Sequence, residues 1–320
     1  MTGSNAHRHR RRWPIAILSV GLALALVYWL SPGWLLDGYF AVQRAYAGMR
    51  VGTVSVAGAD WRYAHGGSGP PVLLVHGMGG SKENWMLMAP HLTGEFRLIA
   101  PDQAGFGESA DSADDDYRIT AQVERLRLFA DTTGLTRFHL VGHSMGGQIA
   151  GIFAARYPER VLSLTLMDAA GVPFKPNAFQ ALLERGENPF ATETVEKFDA
   201  FMRMTFEHPP FAPRRLRMVY AERNALRAPL WNRILQRITS LKTRYYLQEK
   251  LPEITASALI VWCDRDQLLD VSSVDAFRAG LPKARVEILQ GCGHMPMMEQ
   301  PRETAALLRS HFIANETLAH

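Results

Sequence analysis

Two glycines that flank Ser144, at positions 142 and 146, constrain the fold of this chain more than any other feature of its sequence. The serine follows a β-rich run, Phe138–Val141, and precedes a run of small residues with helical character, Met145–Tyr157. A turn between a strand and a helix is so sharp that larger residues at 142 and 146 would collide with their neighbours. Ser144 is therefore a candidate nucleophile at the N-terminus of a helix, which favours negative charge. The alternative is a plain hydroxyl in a glycine-rich turn.

The body of the chain alternates between apolar runs of strand length and runs of helical character. Buried strands are predicted at Pro71–Val75, Arg97–Ala100, Phe138–Val141 and Val161–Met167, and the last strands of the sheet at Ala258–Trp262 and Val286–Leu289. Further segments are predicted as helices at Thr120–Thr133, Met145–Tyr157 and Arg302–Ile313, and as an antiparallel pair at Gly52–Val56 and Trp61–His65. This alternation predicts an α/β fold with a mostly parallel sheet flanked by helices.

One long segment, residues 173–255, interrupts the alternation. It contains no convincing strand, and its helical pieces are separated by Pro189, Pro209, Pro210, Pro213 and Pro229. Its position predicts a helical cap inserted between two parts of one α/β core, residues 52–172 and 256–314. The alternative is a set of ordinary packing helices.

The N-terminal region has the composition of a membrane anchor. Residues 1–12 contain four arginines and no acid, and the next 18 residues, Trp13–Leu30, carry no charge. Eighteen helical residues are just long enough to cross a bilayer core. We therefore predict a basic tail (1–12), a transmembrane helix (13–30) and a linker (31–51). The alternatives are a cleaved signal peptide and a buried core helix.

The arginine block also predicts the orientation, because basic residues favour the cytoplasmic side. The N-terminus would then be cytoplasmic and the body would lie outside, in the periplasm if the source is bacterial. Without those four arginines, 31 basic residues balance 31 acidic ones, so nothing in the charge indicates nucleic-acid binding. Oligomeric state is not predictable from these features.

A nucleophilic serine needs a base, an acid and donors for an oxyanion. Of 11 histidines, His294 is the best base, since it follows the last predicted strand. His143 adjoins the serine but is expected to point away, and His76 is expected to support the loop that follows it. The acid should follow the preceding strand, where three candidates stand, Asp264, Asp266 and Asp270; the fallback is Asp168, after a neighbouring strand.

The expected oxyanion donors are the backbone N–H groups of Met145, directly after the serine, and of Met78, in the glycine-rich stretch His76–Gly80. That stretch could also cradle a phosphate, but the chain has no Walker lysine and no G-x-G-x-x-G unit. Scattered histidines and two cysteines indicate no metal site. No cofactor is predicted.

Several longer motifs, in order, resemble the α/β-hydrolase superfamily over about residues 53–314. They are HGMGGSKENW, PDQAGFGES, DYRITAQVERL, GHSMGGQIAG, WCDRDQLLDVS and GCGHMPMMEQP. Within the superfamily the chain is similar to membrane-anchored monoacylglycerol lipases and small bacterial lipases. The resemblance implies a triad of Ser144, Asp266 and His294, with Met78 and Met145 as oxyanion donors.

The activity that the resemblance implies is hydrolysis of a carboxylic ester of a single-chain lipid, such as a monoacylglycerol, through an acyl-enzyme. The lipid ester would be the partner, together with the membrane that holds the anchor. Two alternatives use the same fold: a C–C bond or amide hydrolase with the same triad, and a ligand receptor without enzymatic activity.

The two cysteines depart from the family pattern in an informative way. Many relatives have glycine where this chain has Cys263, three residues before Asp266, and Cys292 lies two residues before His294. If the implied acid and base touch, both cysteines lie at the ends of neighbouring strands. We hypothesise a disulfide between them, which a compartment outside the cytoplasm would permit. The alternative is a pair of buried thiols that fill space.

Overall fold

One eight-stranded sheet organises the computed structural model, which describes residues 19, 21, 22, 25–240 and 243–316. The strand order is β1-β2-β4-β3-β5-β6-β7-β8, with β2 antiparallel to both of its neighbours and all pairs from β4 to β8 parallel. The strands are β1 (Met49–Val56), β2 (Ala59–Gly66), β3 (Pro71–Val75), β4 (Arg97–Pro101), β5 (Phe138–His143), β6 (Val161–Met167), β7 (Ala258–Cys263) and β8 (Arg285–Leu289).

Helices cover both faces of this sheet, which confirms the predicted mostly parallel α/β architecture. Alternate residues of β3 show why both faces must be covered: Leu73 and Val75 belong to one apolar core, Val72 and Leu74 to another, and all four are fully buried. The helices are α1 (Pro32–Tyr46), α2 (Ile119–Thr132), α3 (Met145–Arg156), α4 (Ala178–Glu184), α5 (Val195–Thr205), α6 (Arg214–Ile238), α7 (Tyr246–Lys250), α8 (Ser273–Gly280), α9 (Pro296–Glu299) and α10 (Pro301–Glu316).

The predicted antiparallel pair is present but longer than expected. β1 begins at Met49, three residues before the predicted start, because its pairing with β2 continues to Met49 opposite Gly66. The segment 31–51, expected to be a linker, contains α1 and the start of β1. The helical part of this segment, α1, packs on α6. There Arg223 donates two hydrogen bonds to the Asp37 carboxylate, which helps to hold α1 in place.

Half of the transmembrane helix predicted at residues 13–30 lies outside the described residues. Residues 25–30 are helical and lead into α1 after Ser31. Within the described ranges, no helix has both the length and the apolarity needed to cross a bilayer.

The segment 173–255 contains α4, α5, α6 and α7, and no strand among its described residues. It leaves the core at the carboxyl end of β6 and re-enters it at the start of β7. Ser144, Asp168, Asp266 and His294 follow β5, β6, β7 and β8 in turn. Because parallel strands end at the same edge of a sheet, their four side chains gather at one place.

Candidate active site

Ser144 occupies a strained turn between β5 and α3. Its φ angle of 55° lies in the left-handed region that residues with a Cβ rarely adopt. A Cβ at Gly142 would lie 2.2 Å from the carbonyl oxygen of Gly146, and a Cβ at Gly146 would lie 2.2 Å from that of Val75. The two glycines therefore permit the strand and helix to approach closely enough to force this turn. The serine backbone is held in addition by a hydrogen bond from its amide to the Met167 carbonyl oxygen, at 3.0 Å.

His294 and Asp266 are hydrogen-bonded, with 2.7 Å between Nδ1 of the histidine and Oδ2 of the carboxylate. Both side chains are buried. The other carboxylate oxygen of Asp266 accepts from the amides of Leu268 and Leu269, at 2.8 and 3.0 Å. These three donors hold the carboxylate in one orientation, and the bond at Nδ1 leaves Nε2 of His294 as the ring nitrogen available to another group.

Asp168, the fallback acid, lies in the same cluster but does not bond to the histidine. One of its oxygens accepts a hydrogen bond from the Cys263 amide at 2.9 Å, and the other is buried without a hydrogen-bond partner among the described residues. Side-chain atoms of Asp168, Asp266 and His294 lie within 4.8 Å of one another. Burial, reinforced by the nearby charge of Asp266, raises the pKa of Asp168 well above its usual value.

In the described part of the chain, the same three residues form the one group whose side chains are close enough together to resemble a set of metal ligands. A metal ion there would have to compete with the hydrogen bond between His294 and Asp266, which already uses one potential ligand atom of each residue. The two other acidic candidates are engaged elsewhere: Asp264 accepts from the Gly291 amide and Asp270 from the Ser272 amide.

His143 and His76 both have structural roles around the turn. Nε2 of His143 donates to the carbonyl oxygen of His294 at 2.7 Å, so this nitrogen is not available to Ser144. Nδ1 of His76 donates to the Gly77 carbonyl oxygen at 2.8 Å, and its Nε2 accepts from the Gln103 amide at 3.0 Å. Burial lowers the pKa of both histidines, which keeps them neutral in these roles.

The glycine-rich loop after β3 passes directly beside the serine. A Cβ at Gly77 would lie 2.7 Å from the Cβ of Ser144, so only glycine allows this approach. The amides of Met78 and Met145 donate to no group in the described part of the chain, and both residues line the same cleft as Ser144. Two unpaired N–H groups at such a position can stabilise an oxyanion.

A buried ion pair beneath this loop was not recognised from the sequence. Nζ of Lys82 lies 2.8 Å from Asp102 and 2.6 Å from Glu108, and the lysine side chain is 1% exposed. Burial alone would lower the pKa of Lys82, but the two carboxylates outweigh it and raise the pKa. The pair fastens the loop after β3 to the loop after β4. All three residues stand in motifs quoted above, but nothing in the local sequence distinguishes a buried lysine from an exposed one.

Cys263 and Cys292 are joined by a disulfide, with their Cα atoms 5.2 Å apart. Cys263 is the last residue of β7 and Cys292 lies in the loop after β8. The bond connects the two loops that carry Asp266 and His294. Backbone contacts reinforce the connection, since the Arg265 amide donates to the Cys292 carbonyl oxygen at 3.1 Å.

A cleft that is partly open to solvent contains Ser144 and His294. Its walls come from the core and from segment 173–255, and they are mostly apolar. The apolar lining residues include Val172, Phe174, Phe179, Leu183, Phe190, Leu235, Ile238, Leu268 and Leu269. A long hydrocarbon chain would be compatible with such a surface.

Comparison with known proteins agrees with this geometry. Residues 70–301 match the family model described as alpha/beta hydrolase fold. Monoacylglycerol lipase ABHD6 of Rattus norvegicus is 31% identical over 300 residues, covering 90% of this chain and 89% of that protein. Lipase 1 of Psychrobacter immobilis is 34% identical over 274 residues, covering 82% and 84%.

Among solved structures, a bacterial membrane phospholipase A, described as a virulence factor, superposes with a TM-score of 0.86. It is 36% identical, and the match covers 96% of this chain and 99% of that one. The similarity therefore extends beyond the sheet to segment 173–255 and to α1.

Proposed function

Since this chain belongs to the α/β-hydrolase fold family and is a carboxylic-ester hydrolase, we propose that it cleaves esters of single-chain lipids. One observation carries the proposal: a histidine bonded to a fixed carboxylate, His294 to Asp266 at 2.7 Å, shares an apolar cleft with a serine in a strained turn. In this proposal Ser144 is the nucleophile, His294 the base and Asp266 the acid. Monoacylglycerols are the preferred substrate class, as in the name of the ABHD6 relatives.

The first half of the reaction acylates the serine. His294 accepts the hydroxyl proton at Nε2 while Ser144 Oγ bonds to the carbonyl carbon of the ester. The amides of Met78 and Met145 stabilise the oxyanion, and Asp266 stabilises the imidazolium through Nδ1. The bond from the carbonyl carbon to the alcohol oxygen then breaks, and that oxygen leaves with the proton from His294.

The second half releases the fatty acid. Water attacks the acyl carbon and gives a proton to His294, the bond to Ser144 Oγ breaks, and the serine recovers its proton. The apolar wall from segment 173–255 would hold the acyl chain during both halves, which is the role we propose for this segment as a cap. The disulfide between Cys263 and Cys292 would keep acid and base in register.

The membrane position of the protein is part of the same proposal. Leu26, Trp29, Leu30 and Trp34 are between 57% and 76% exposed, which is unusual for so many large apolar side chains on neighbouring turns. Together with the basic residues 1–12 and the uncharged run 13–30, they support a single-pass anchor with a cytoplasmic N-terminus. The name of the membrane phospholipase A with the similar structure favours the same location.

Hydrolysis by purified protein tests the catalytic proposal. We expect turnover of monoacylglycerols and labelling by a fluorophosphonate probe, both lost in Ser144→Ala with a fall in kcat of at least about 10³-fold. Ser310→Ala, which removes an exposed serine hydroxyl on α10, is the matched control and should retain both.

The substrate panel should also contain diacylglycerols, triacylglycerols, simple esters, an amide and a substrate with a hydrolysable C–C bond. Preference for the amide or the C–C substrate would identify one of the alternatives that use the same triad. If no ester is turned over faster than by Ser144→Ala, the lipid-ester proposal is wrong.

A further inference from the structure

The loop that carries Met78 is fixed at both of its ends by the two residues that follow β4. At the first end, the Gln103 amide donates to Nε2 of His76 at 3.0 Å, and the Gln103 side chain donates to the His76 carbonyl oxygen at 2.7 Å. At the second end, the Lys82 amide donates to one oxygen of Asp102 at 2.6 Å, and Nζ of Lys82 donates to the other at 2.8 Å. The position of the Met78 amide, between these two ends, depends on both.

The second end of the loop is connected to α1 through a row of buried charges. Glu83 uses one carboxylate oxygen for two cations: its Oε1 lies 3.4 Å from Nζ of Lys82 and accepts a hydrogen bond from the guanidinium of Arg44, in the last turn of α1. The side chains of Arg44 and Glu83 are 20% and 12% exposed. The other oxygen of Glu83 is buried and has no hydrogen-bond partner among the described residues. Charges of alternating sign therefore lead from α1 to Asp102, beneath the loop.

Arg44 contributes to the balance of charge in this row. Burial raises the pKa of Glu83, and the positive charges of Lys82 and Arg44 act against this rise. Without Arg44, the buried carboxylate would either take up a proton or draw Lys82 away from Asp102. Either change alters the contacts of Lys82, which fixes the second end of the loop. A change at Arg44 is therefore expected to reach the Met78 amide.

We propose that Arg44 is a positioning residue for the oxyanion donor Met78. Acting through Glu83 and Lys82, it holds the loop in the shape in which the Met78 amide serves the oxyanion. This inference rests on the proposed ester hydrolysis at Ser144 and adds that α1, which continues from the N-terminal helical residues, helps to set the rate of that reaction. An oxyanion donor stabilises the transition state more than the bound substrate, so its displacement lowers kcat and leaves KM nearly unchanged.

The experiment measures kcat and KM for a monoacylglycerol on full-length protein in neutral detergent micelles. The endpoint of fluorophosphonate labelling counts the folded sites, and kcat is expressed per labelled site. We expect Arg44→Gln to lower kcat about tenfold, with KM within about twofold of the wild type, because one oxyanion donor is displaced but not removed. Arg44→Lys keeps the positive charge and should recover part of kcat. An unchanged kcat in Arg44→Gln, or a loss confined to KM, would overturn the proposal.

A double-mutant cycle tests whether Arg44 acts through Glu83. We expect Glu83→Gln to lower kcat as well, because it removes one of the contacts of Lys82. The double variant Arg44→Gln/Glu83→Gln should be no slower than Arg44→Gln alone, since it leaves no buried carboxylate without its cation. If the two losses multiply, Arg44 and Glu83 act independently and the proposed connection is wrong.

Asp37→Asn is the matched control on the same helix. It removes the acceptor of the hydrogen bonds from Arg223, which hold α1 to α6, and leaves the row of charges from Arg44 intact. Its kcat should equal that of the wild type. An equal fall of kcat in Asp37→Asn and Arg44→Gln would show that attachment of α1 in general matters, and would overturn the specific role of Arg44.

Failure of the two proposals can be distinguished. If the wild type hydrolyses no ester above the level of Ser144→Ala, the ester-hydrolase proposal fails, and the role of Arg44 fails with it. If the wild type is active and Arg44→Gln matches it, only the role of Arg44 is overturned.

Discussion

At the residue scale, the environment of Asp168 disfavours the ionised form of its carboxylate. It is fully buried, side-chain atoms of Asp266 and His294 lie within 4.8 Å of it, and Glu299 adds a further negative charge nearby. Two adjacent buried carboxylates cannot both be ionised at low cost. Because Asp266 already accepts three hydrogen bonds, we expect Asp168 to be the member of the pair that stays protonated.

Asp168→Asn tests this state, because asparagine is a neutral isostere of the protonated acid. A raised native pKa means that the folded protein holds a proton that the unfolded chain has lost above about pH 4. Wild-type stability therefore falls as pH rises toward the native pKa, and this fall should be absent from the variant. We expect urea unfolding to give Asp168→Asn an unfolding free energy equal to or above that of the wild type at pH 8, with a smaller advantage at pH 5.

Asp275→Asn, at a carboxylate whose side chain is 82% exposed, is the control and should show no such dependence on pH. The kinetic profile provides a second measurement. Removal of an ionised carboxylate at this distance from His294 would displace the acidic limb of the kcat/KM profile by about 1 pH unit or more. A displaced limb in Asp168→Asn, or a variant that is less stable at pH 8 than at pH 5 relative to the wild type, would show that Asp168 is ionised.

At the element scale, the two loops that follow β7 and β8 depend on each other. Asp266 lies on the first and His294 on the second, and the disulfide between Cys263 and Cys292 joins the loops close to both residues. Glu299 fixes the second loop from its other side, since it accepts from the Gly293 amide at 2.8 Å and from the amides of Glu207 and His208 in segment 173–255. The base is therefore positioned by contacts from three parts of the chain.

Loss of the disulfide should weaken both stability and catalysis. The two cysteines are separated by 29 positions in the sequence. For a cross-link of this span, the entropy of the unfolded chain predicts that removing the disulfide lowers the free energy of unfolding by about 3–4 kcal/mol. We expect Cys263→Ser with Cys292→Ser to melt several degrees below the wild type and to have a lower kcat. The chain has no other cysteine, so a reductant should reproduce the effect in the wild type and leave the double variant unchanged. Identical melting of the wild type with and without reductant would contradict a stabilising bond.

At the scale of the whole molecule, the N-terminal helical region, residues 25–46, is in contact with segment 173–255. Besides the ion pair between Arg223 and Asp37, Phe40 packs against Tyr220 and the guanidinium of Arg215 lies 4.2 Å from the centre of the Trp29 ring. The exposed apolar side chains of the helix are thus physically connected to the helices that line the cleft. A membrane that holds the helix would place the cleft near its lipid substrates.

Deletion of residues 2–30 tests the anchor. The full-length protein should remain with membranes after alkaline carbonate extraction, whereas the truncated protein should be released and should still hydrolyse a water-soluble short-chain ester. A full-length variant with Arg8, Arg10, Arg11 and Arg12 replaced by alanine retains the apolar run. It should stay with the membranes but lose its uniform orientation, measured by protease protection. Full-length protein in the soluble fraction would contradict the anchor.

Local patterns in the sequence were enough for most of the fold. Apolar runs predict the parallel strands to within one or two residues at each end. For the inner strands the reason is that a strand buried on both faces must be apolar along its length, whereas the edge strand β8 has no buried residue. The strained turn at Ser144 was equally predictable, since both glycines stand two residues from the serine in the sequence, although the contact that requires glycine at 146 is with Val75 on another strand. The edge strand β1 was less so, because its side chains alternate between buried and exposed positions and its first residues are specified by pairing with β2.

The sequence by itself determined the order of strands and helices, the turn at Ser144 and the position of the inserted segment, because each follows from neighbours along the chain. The residues alone left Asp264, Asp266 and Asp270 as equivalent acids and only the family resemblance singled out Asp266; the tertiary structure shows that Asp266 meets His294, while Asp264 and Asp270 accept from other backbone amides. It also decided that Lys82 is buried against Asp102 and Glu108. Burial and pairing of charges depend on residues that folding brings together from distant parts of the chain, and no local pattern contains that information.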